Sequence, residues 1–274
     1  MVFIIDLLKF LLPVLYFWTV WMYAKVFFSG SKFAESFRTP LLLTLVVAHF
    51  CYLLLRTIVL AHPPITNVYE TLTNIAFCIT LAYTYLEFRT KVSGTGYFIL
   101  ILPFFFQFIS SVFINDALPI REVLRSNLLA FHVTSALLGF SAITISGVYG
   151  FLYLMLYHDI KATRFSVIYN RLPNLEVLER MSSTAAALGF VLLTVAIAVG
   201  LVWLPRAFDD FSYADPKLLG TIAVWALYGL GILGKKFIGW EGKKVVWLSV
   251  CGFALALFSM TIINMFLGGF HKFY

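Results

Sequence analysis

A chain of 274 residues that is 61% hydrophobic and only 12% charged, with apolar stretches of about 20 residues recurring along it, is excluded from the ordinary water-soluble class and reads as a polytopic helical membrane protein. The formal net charge of +7 does not point to nucleic acid, because the lysines and arginines sit in loops at the ends of apolar runs, where they act as topology signals and contacts for anionic lipid. Cys51, Cys78 and Cys251 all lie inside apolar runs, with no C-x-x-C pair and no C-x-x-C-H, so a thiol-redox carrier, a zinc site and covalent haem attachment are unsupported. Buried packing is the role expected of them.

The expected fold is all-α: a single membrane domain over residues 1–274, with about eight transmembrane helices. Spans are predicted at roughly 7–28, 40–61, 69–87, 95–113, 127–157, 182–204, 217–235 and 245–268. The first carries Asp6 and Lys9 and is followed by no A-x-A-like cleavage site, so it is expected to stay in the membrane. Basic residues follow alternate spans: Lys25, Lys32 and Arg38 after the first, Arg89 and Lys91 after the third, Lys161, Arg164, Arg171 and Arg180 after the fifth, and Lys235, Lys236, Lys243 and Lys244 after the seventh. These loops are expected to be cytoplasmic, with both termini outside, in a bacterial inner (cytoplasmic) membrane.

The second span holds His49 near the bilayer centre and Arg56 two turns later on the same face, and ends at His62 before Pro63-Pro64. Across that hairpin Glu70 opens the third span within reach of Arg56. Two roles fit the pair: a structural ion pair, or a site for a ligand carboxylate. The fifth run is too long for one bilayer if helical throughout, and its end near Tyr157 and His158 is expected to project into the cytoplasm. After Pro173, Asn174 to Met181 reads as a capped amphipathic turn or two lying on the inner surface. Gly139, Gly147, Gly150, Gly229, Gly231 and Gly234 suit close helix contacts better than phosphate binding.

Three of the five histidines, His62, His132 and His271, fall near the ends of runs that share the expected outer face. An imidazole among Leu128, Leu129, Phe131 and Val133 is costly unless it is a ligand or is hydrogen-bonded, so His132 has those two readings. His271 is level with it, either a second ligand or a solvated terminal residue. Two neutral imidazoles from different helices can hold a porphyrin iron between them. His62 fits either a third ligand or a helix-end cap. Arg121, Arg125, Lys217 and Lys272 lie near the same face and, with Arg56, are the cations available to haem propionates.

Several segments resemble the cytochrome c assembly membrane family, which includes CcsA and the HemX-like proteins. Pro64-Ile-Thr-Asn-Val-Tyr-Glu-Thr-Leu72 is similar to its P-L-S-N-L-Y-E-S-L element, with His49 and Arg56 in the places of the preceding H and R. Leu129 to Ser135 resembles the family's apolar-H-V/I-S segment, Asp215-Pro216-Lys217 with Trp225 its D-P-K stretch, and Phe270 to Tyr274 its outer C-terminal G-L-H-S-Y. The likeness runs from about residue 40 to the end, in the family's order.

The resemblance implies non-covalent binding of haem b, with His132 and His271 as axial ligands of its iron and Arg56, Arg125, Lys217, Asp215, His62 and His49 as further site residues. The implied partners are haem, the lipid bilayer, and cytochrome c assembly or haem-synthesis proteins. The tryptophan-rich W-x-W-D-P-K-E of haem lyases appears here as Ser212-Tyr-Ala-Asp-Pro-Lys-Leu218, without its tryptophans or glutamate, which places the chain nearer the short HemX-like branch and speaks against an enzyme of its own. The expected function is haem transport or handling linked to c-type cytochrome assembly or to control of haem synthesis. Competing readings are a membrane scaffold or regulator of tetrapyrrole synthesis, and a small-solute transporter using the stripe of His49, Arg56, Glu70 and Asn74.

Overall fold

Short polar side chains that accept hydrogen bonds from helix N-terminal amides set several of the boundaries. In the computed structural model, which describes residues 2–114, 126–207 and 212–259, α1 (Val2–Ala24) continues into a π-helical turn (Lys25–Ser29). Gly30 ends it with a left-handed φ of 62°. Ser31 caps α2 (Lys32–Leu60) through Ala34 N, and the helix stops just before His62, where the following prolines disfavour helical backbone. Asn67 caps α3 (Val68–Thr90) through Glu70 N, and α4 (Gly96–Phe113) follows. The remaining elements are α5 (Asn127–Lys161), a short α6 (Val167–Arg171), α7 (Leu175–Ala207), and α8 (Pro216–Leu233) with its own π-helical turn (Gly234–Ile238). Last comes α9 (Lys243–Phe258). Among the described residues every regular element is helical.

The chain divides into two compact units, Met1–Ala130 and Phe131–Tyr274. In the first, α1 packs on α2 and α4, and α3 packs on α4 and α2. Gly96 lies so close to the Tyr23 ring that a Cβ there would come within 2.2 Å of it. In the second, α7, α8 and α9 pack on one another, and α5 joins them at glycines: a Cβ at Gly189 of α7 would stand 3.1 Å from the Gly139 carbonyl of α5, and one at Gly147 would run into Phe253 of α9. Of the glycines expected to allow close contacts, Gly139 and Gly147 do so here, whereas a Cβ at Gly231 would meet only ordinary contact.

Polarity is distributed inside out. Phe3, Phe10, Phe33, Val47, Val191, Val202 and Leu230 are exposed, whereas His49, Arg56, Glu70, Thr73 and Gln107 are buried. An apolar skin over a polar interior is stable in hydrocarbon and unstable in water. Six described helices are long and apolar enough to cross a bilayer: α1 with its π turn, α2, α4, α5, α7 and α8 with its π turn. This is an all-α, polytopic membrane protein. The other two predicted spans correspond to α3, whose many threonines, Asn74, Glu70 and Glu87 lower its hydropathy, and to α9, of which 16 residues are described.

Three expectations are corrected. Residues 174–181 are not a separate surface helix: Asn174 does cap, accepting from Val177 N at 2.9 Å, but the helix it opens is α7 itself, because Leu178 and Met181 are fully buried on a face that runs on unbroken into the span. The second span begins at Lys32 rather than near 40, with Pro40 accommodated inside α2. Of the three cysteines only Cys78 is buried; Cys51 and Cys251 lie on exposed helix faces.

Candidate functional site

In the first unit the polar side chains are bonded to one another. His49 is 0% exposed, and both its ring nitrogens are engaged, Nδ1 with Tyr16 OH at 3.0 Å and Nε2 with Thr73 Oγ1 at 3.0 Å. Tyr16 OH reaches Thr80 Oγ1 at 2.8 Å, Thr73 donates to Gln107 Oε1 at 2.6 Å, and Gln107 donates to Ser111 Oγ at 3.0 Å. Binding iron through His49 would require breaking this network. Arg56, also 0% exposed, donates through Nη2 to Glu70 Oε1 at 2.8 Å, while Glu70 Oε2 accepts from Thr66 N and Thr66 Oγ1 at 2.8 Å each. The Arg56–Glu70 pair expected across the Pro63-Pro64 turn is thus present. Asn74 donates to the Glu70 and Pro64 carbonyls, and toward the other end of α3 Tyr23 OH donates to Glu87 Oε2 at 2.7 Å. The stripe of His49, Arg56, Glu70 and Asn74 is cross-linked by these bonds.

His62 is 4% exposed, its Nδ1 2.9 Å from the Pro63 carbonyl. A carbonyl oxygen only accepts, so Nδ1 carries a proton and donates it.

In the second unit the same logic applies at longer range. His132 stands near the start of α5, and its Nδ1 donates to the Ala196 carbonyl of α7 at 2.9 Å. The ring can reach that carbonyl because position 200 is glycine: a Cβ there would lie 2.8 Å from His132 Cε1 and 3.1 Å from Nδ1. The donated bond selects the tautomer in which Nε2 is unprotonated, the form that binds iron, with the ring orientation held by the backbone. Lys217 is half-buried in the first turn of α8. Asp215, 4% exposed, caps the same helix by accepting from Lys217 N at 2.9 Å and Leu218 N at 3.2 Å, with Pro216 at the first helical position. Trp225, two turns further on, stacks on Phe190 and donates to Thr194 Oγ1 at 2.7 Å.

Of the expected site residues, then, His132, Asp215 and Lys217 belong to the second unit, while His49, Arg56 and His62 belong to the first. His271 and Arg125, with Arg121 and Lys272, lie outside the described residues. Sequence reasoning did not find Ala196 and Gly200, whose small size in an apolar run is their only signal, nor the partners of His49. Tyr16 and Tyr23, seven residues apart on one face of α1, carried a readable signal. The surroundings of His132 fit an iron ligand in two respects: Nδ1 is committed to a carbonyl, and the Gly200 notch seats the ring where any Cβ would displace it. Among the described residues no three His, Cys, Asp or Glu side chains cluster to hold a bare metal ion.

A polytopic helical membrane protein with a hydrogen-bonded polar interior is the class that this fold defines. The chain belongs to the cytochrome c assembly protein family, whose sequence profile it matches over residues 65–271. It is similar to the cytochrome c biogenesis protein CcsA of Guillardia theta, at 25% identity over 77% of this chain and 76% of the relative. The CcsA of Chlamydomonas reinhardtii is 28% identical over 77% of this chain, which spans 61% of that longer relative. The CcsA of Prochlorococcus marinus is 26% identical over 81% and 79%.

Proposed function

We propose that this chain takes part in c-type cytochrome biogenesis by binding haem non-covalently as a cargo, with His132 as one axial ligand. The observation that carries this reading is the bond from His132 Nδ1 to the Ala196 carbonyl beside Gly200, which favours the tautomer with Nε2 unprotonated, in a segment that resembles the family's apolar-H-V/I-S element. His271 is proposed as the second ligand and Lys217 as the cation for a propionate. Arg56 is engaged by Glu70 and takes the structural role. When bound, haem supplies a redox-active iron that this chain holds and passes on. The chain's own residues orient the imidazole, offer a positive charge, and surround both with an apolar helix skin that limits water. The loss of the tryptophan pair and glutamate from the D-P-K segment supports a handling role, near the HemX-like branch, rather than covalent attachment. The proposed setting is a bacterial cytoplasmic membrane with His132 at its outer face.

Absorption spectroscopy of protein purified from haem-replete cells tests the reading. The expected result is a low-spin, two-histidine spectrum that becomes five-coordinate or loses intensity in His132→Ala and His271→Ala, and is unchanged in His158→Ala. Colourless protein that also fails to take up added haemin would overturn it in favour of a scaffold or regulator of tetrapyrrole synthesis. For Lys217 the measurement is haem transfer to an apo-globin: Lys217→Ala should release haem faster while the spectrum of the haem still bound stays the same.

A further inference from the structure

Away from His132, the second unit contains a cavity of about 260 Å³ between α7, α8 and α9, walled by Ala187, Leu227, Gly231 and Leu248. Three hydroxyls on its wall have protein partners. Tyr228 OH donates to the Ser249 carbonyl at 3.0 Å, Ser249 Oγ to the Val245 carbonyl at 3.4 Å, and Ser183 Oγ accepts from Lys235 Nζ at 3.2 Å. A molecule entering it meets apolar contact and little polar recognition. The volume falls just below the range of pockets that enclose whole drug-sized ligands, so it suits a segment of a single hydrocarbon chain rather than a broad planar one.

The rim has the opposite character. Lys235 and Lys236 line the mouth, and Lys243 and Lys244 open the adjoining α9. Lys235 is paired with Glu179, whose other carboxylate oxygen accepts from Gly242 N at 2.8 Å, so that carboxylate is fully used. Lys236 extends over the Phe237 ring and is exposed. Residues 235 to 244 carry four lysines and one acid, Glu241, and with Glu179 paired to Lys235 this end of the unit stays net positive. Basic pockets between transmembrane helices at a membrane surface recognise anionic lipid headgroups.

From the apolar cavity and its basic rim, we infer that the second unit binds one anionic phospholipid, an acyl chain in the cavity and its phosphate against Lys236 and its neighbours. The site does not depend on haem binding. Native mass spectrometry of the full-length protein with added phosphatidylglycerol or phosphatidylcholine tests it. One phosphatidylglycerol should be retained in preference to phosphatidylcholine, and Lys236→Gln should weaken that preference about fivefold, the loss expected for one surface charge. Ala187→Phe should abolish retention by filling the cavity, whereas Lys161→Gln should change nothing. Gly231→Leu is a second block that the fold accommodates, since a Cβ there meets Leu248 no closer than 3.5 Å. Equal retention of both lipids, unaltered by Lys236→Gln and by either block, would mean non-selective boundary lipid and overturn the inference. So would displacement of phosphatidylglycerol by inorganic phosphate with both blocks silent, which would mark a phosphate site without a chain.

Discussion

His132 owes its position to what is missing at residue 200. A methyl group on Gly200 would enter the space of Cε1 and Nδ1, and a stiff ring can only tilt away and lose the Ala196 carbonyl. Gly200→Ala should therefore lower haem affinity by about tenfold or more, as changes to groups that orient a metal-bound histidine do, with helix content unchanged by circular dichroism. The Arg56–Glu70 pair makes a different prediction. Glu70→Ala would take the paired carboxylate from a fully buried guanidinium and cost about 3–5 kcal/mol, whereas Arg56→Met with Glu70→Leu removes both charges and should cost much less. Thermal unfolding in one detergent would show the single variant melting below the double. This pair was legible in the sequence because the Pro63-Pro64 turn brings the two residues together. The partners of His49 were not, because a tyrosine on α1 and a threonine on α3 become neighbours only through packing.

At the scale of the element, helix starts carry the readable chemistry. Asp215-Pro216-Lys217 announces the N-terminus of α8, and the capping bonds are where that pattern puts them. Asp215→Ala should cost about 1 kcal/mol in thermal unfolding and loosen Lys217, while Asp215→Asn, which can still accept, should cost less. The start of α7 was misread for a physical reason. Glu176, Glu179 and Arg180 give its first turns a surface composition, yet no glycine or proline interrupts them before the span, and their apolar face is buried. Glu179 then serves three segments at once, through Lys235 and the backbone of Gly242.

For the whole molecule, hydropathy was enough to assign the class, and the predicted spans fall on described helices, with the starts of α2 and α7 lying well before the residues expected. Orientation rests on the alternation of basic loops. Single cysteines near Thr66 should react with an impermeant reagent added outside, and ones near Lys91 or Lys161 only after lysis; the opposite pattern would put His132 on the cytoplasmic side. The grouping of helices into two units was not legible, since it depends on which faces pair and not on where each helix begins.

The composition of α3 bears on how the protein is made. A helix with Glu70 and Glu87 near its ends and threonines between them gains little by entering lipid alone, where a single acidic residue opposes insertion by up to about 3 kcal/mol. In the folded protein Arg56 and Tyr23 satisfy those carboxylates, and Arg56 belongs to the helix synthesised just before. Entry of α2 and α3 as a hairpin, the ion pair formed before either helix is released to lipid, lowers that barrier for both. In a glycosylation-reporter assay, Arg56→Leu should make α2 a better independent insert and α3 a poorer one, a divergence that two helices entering separately would not produce.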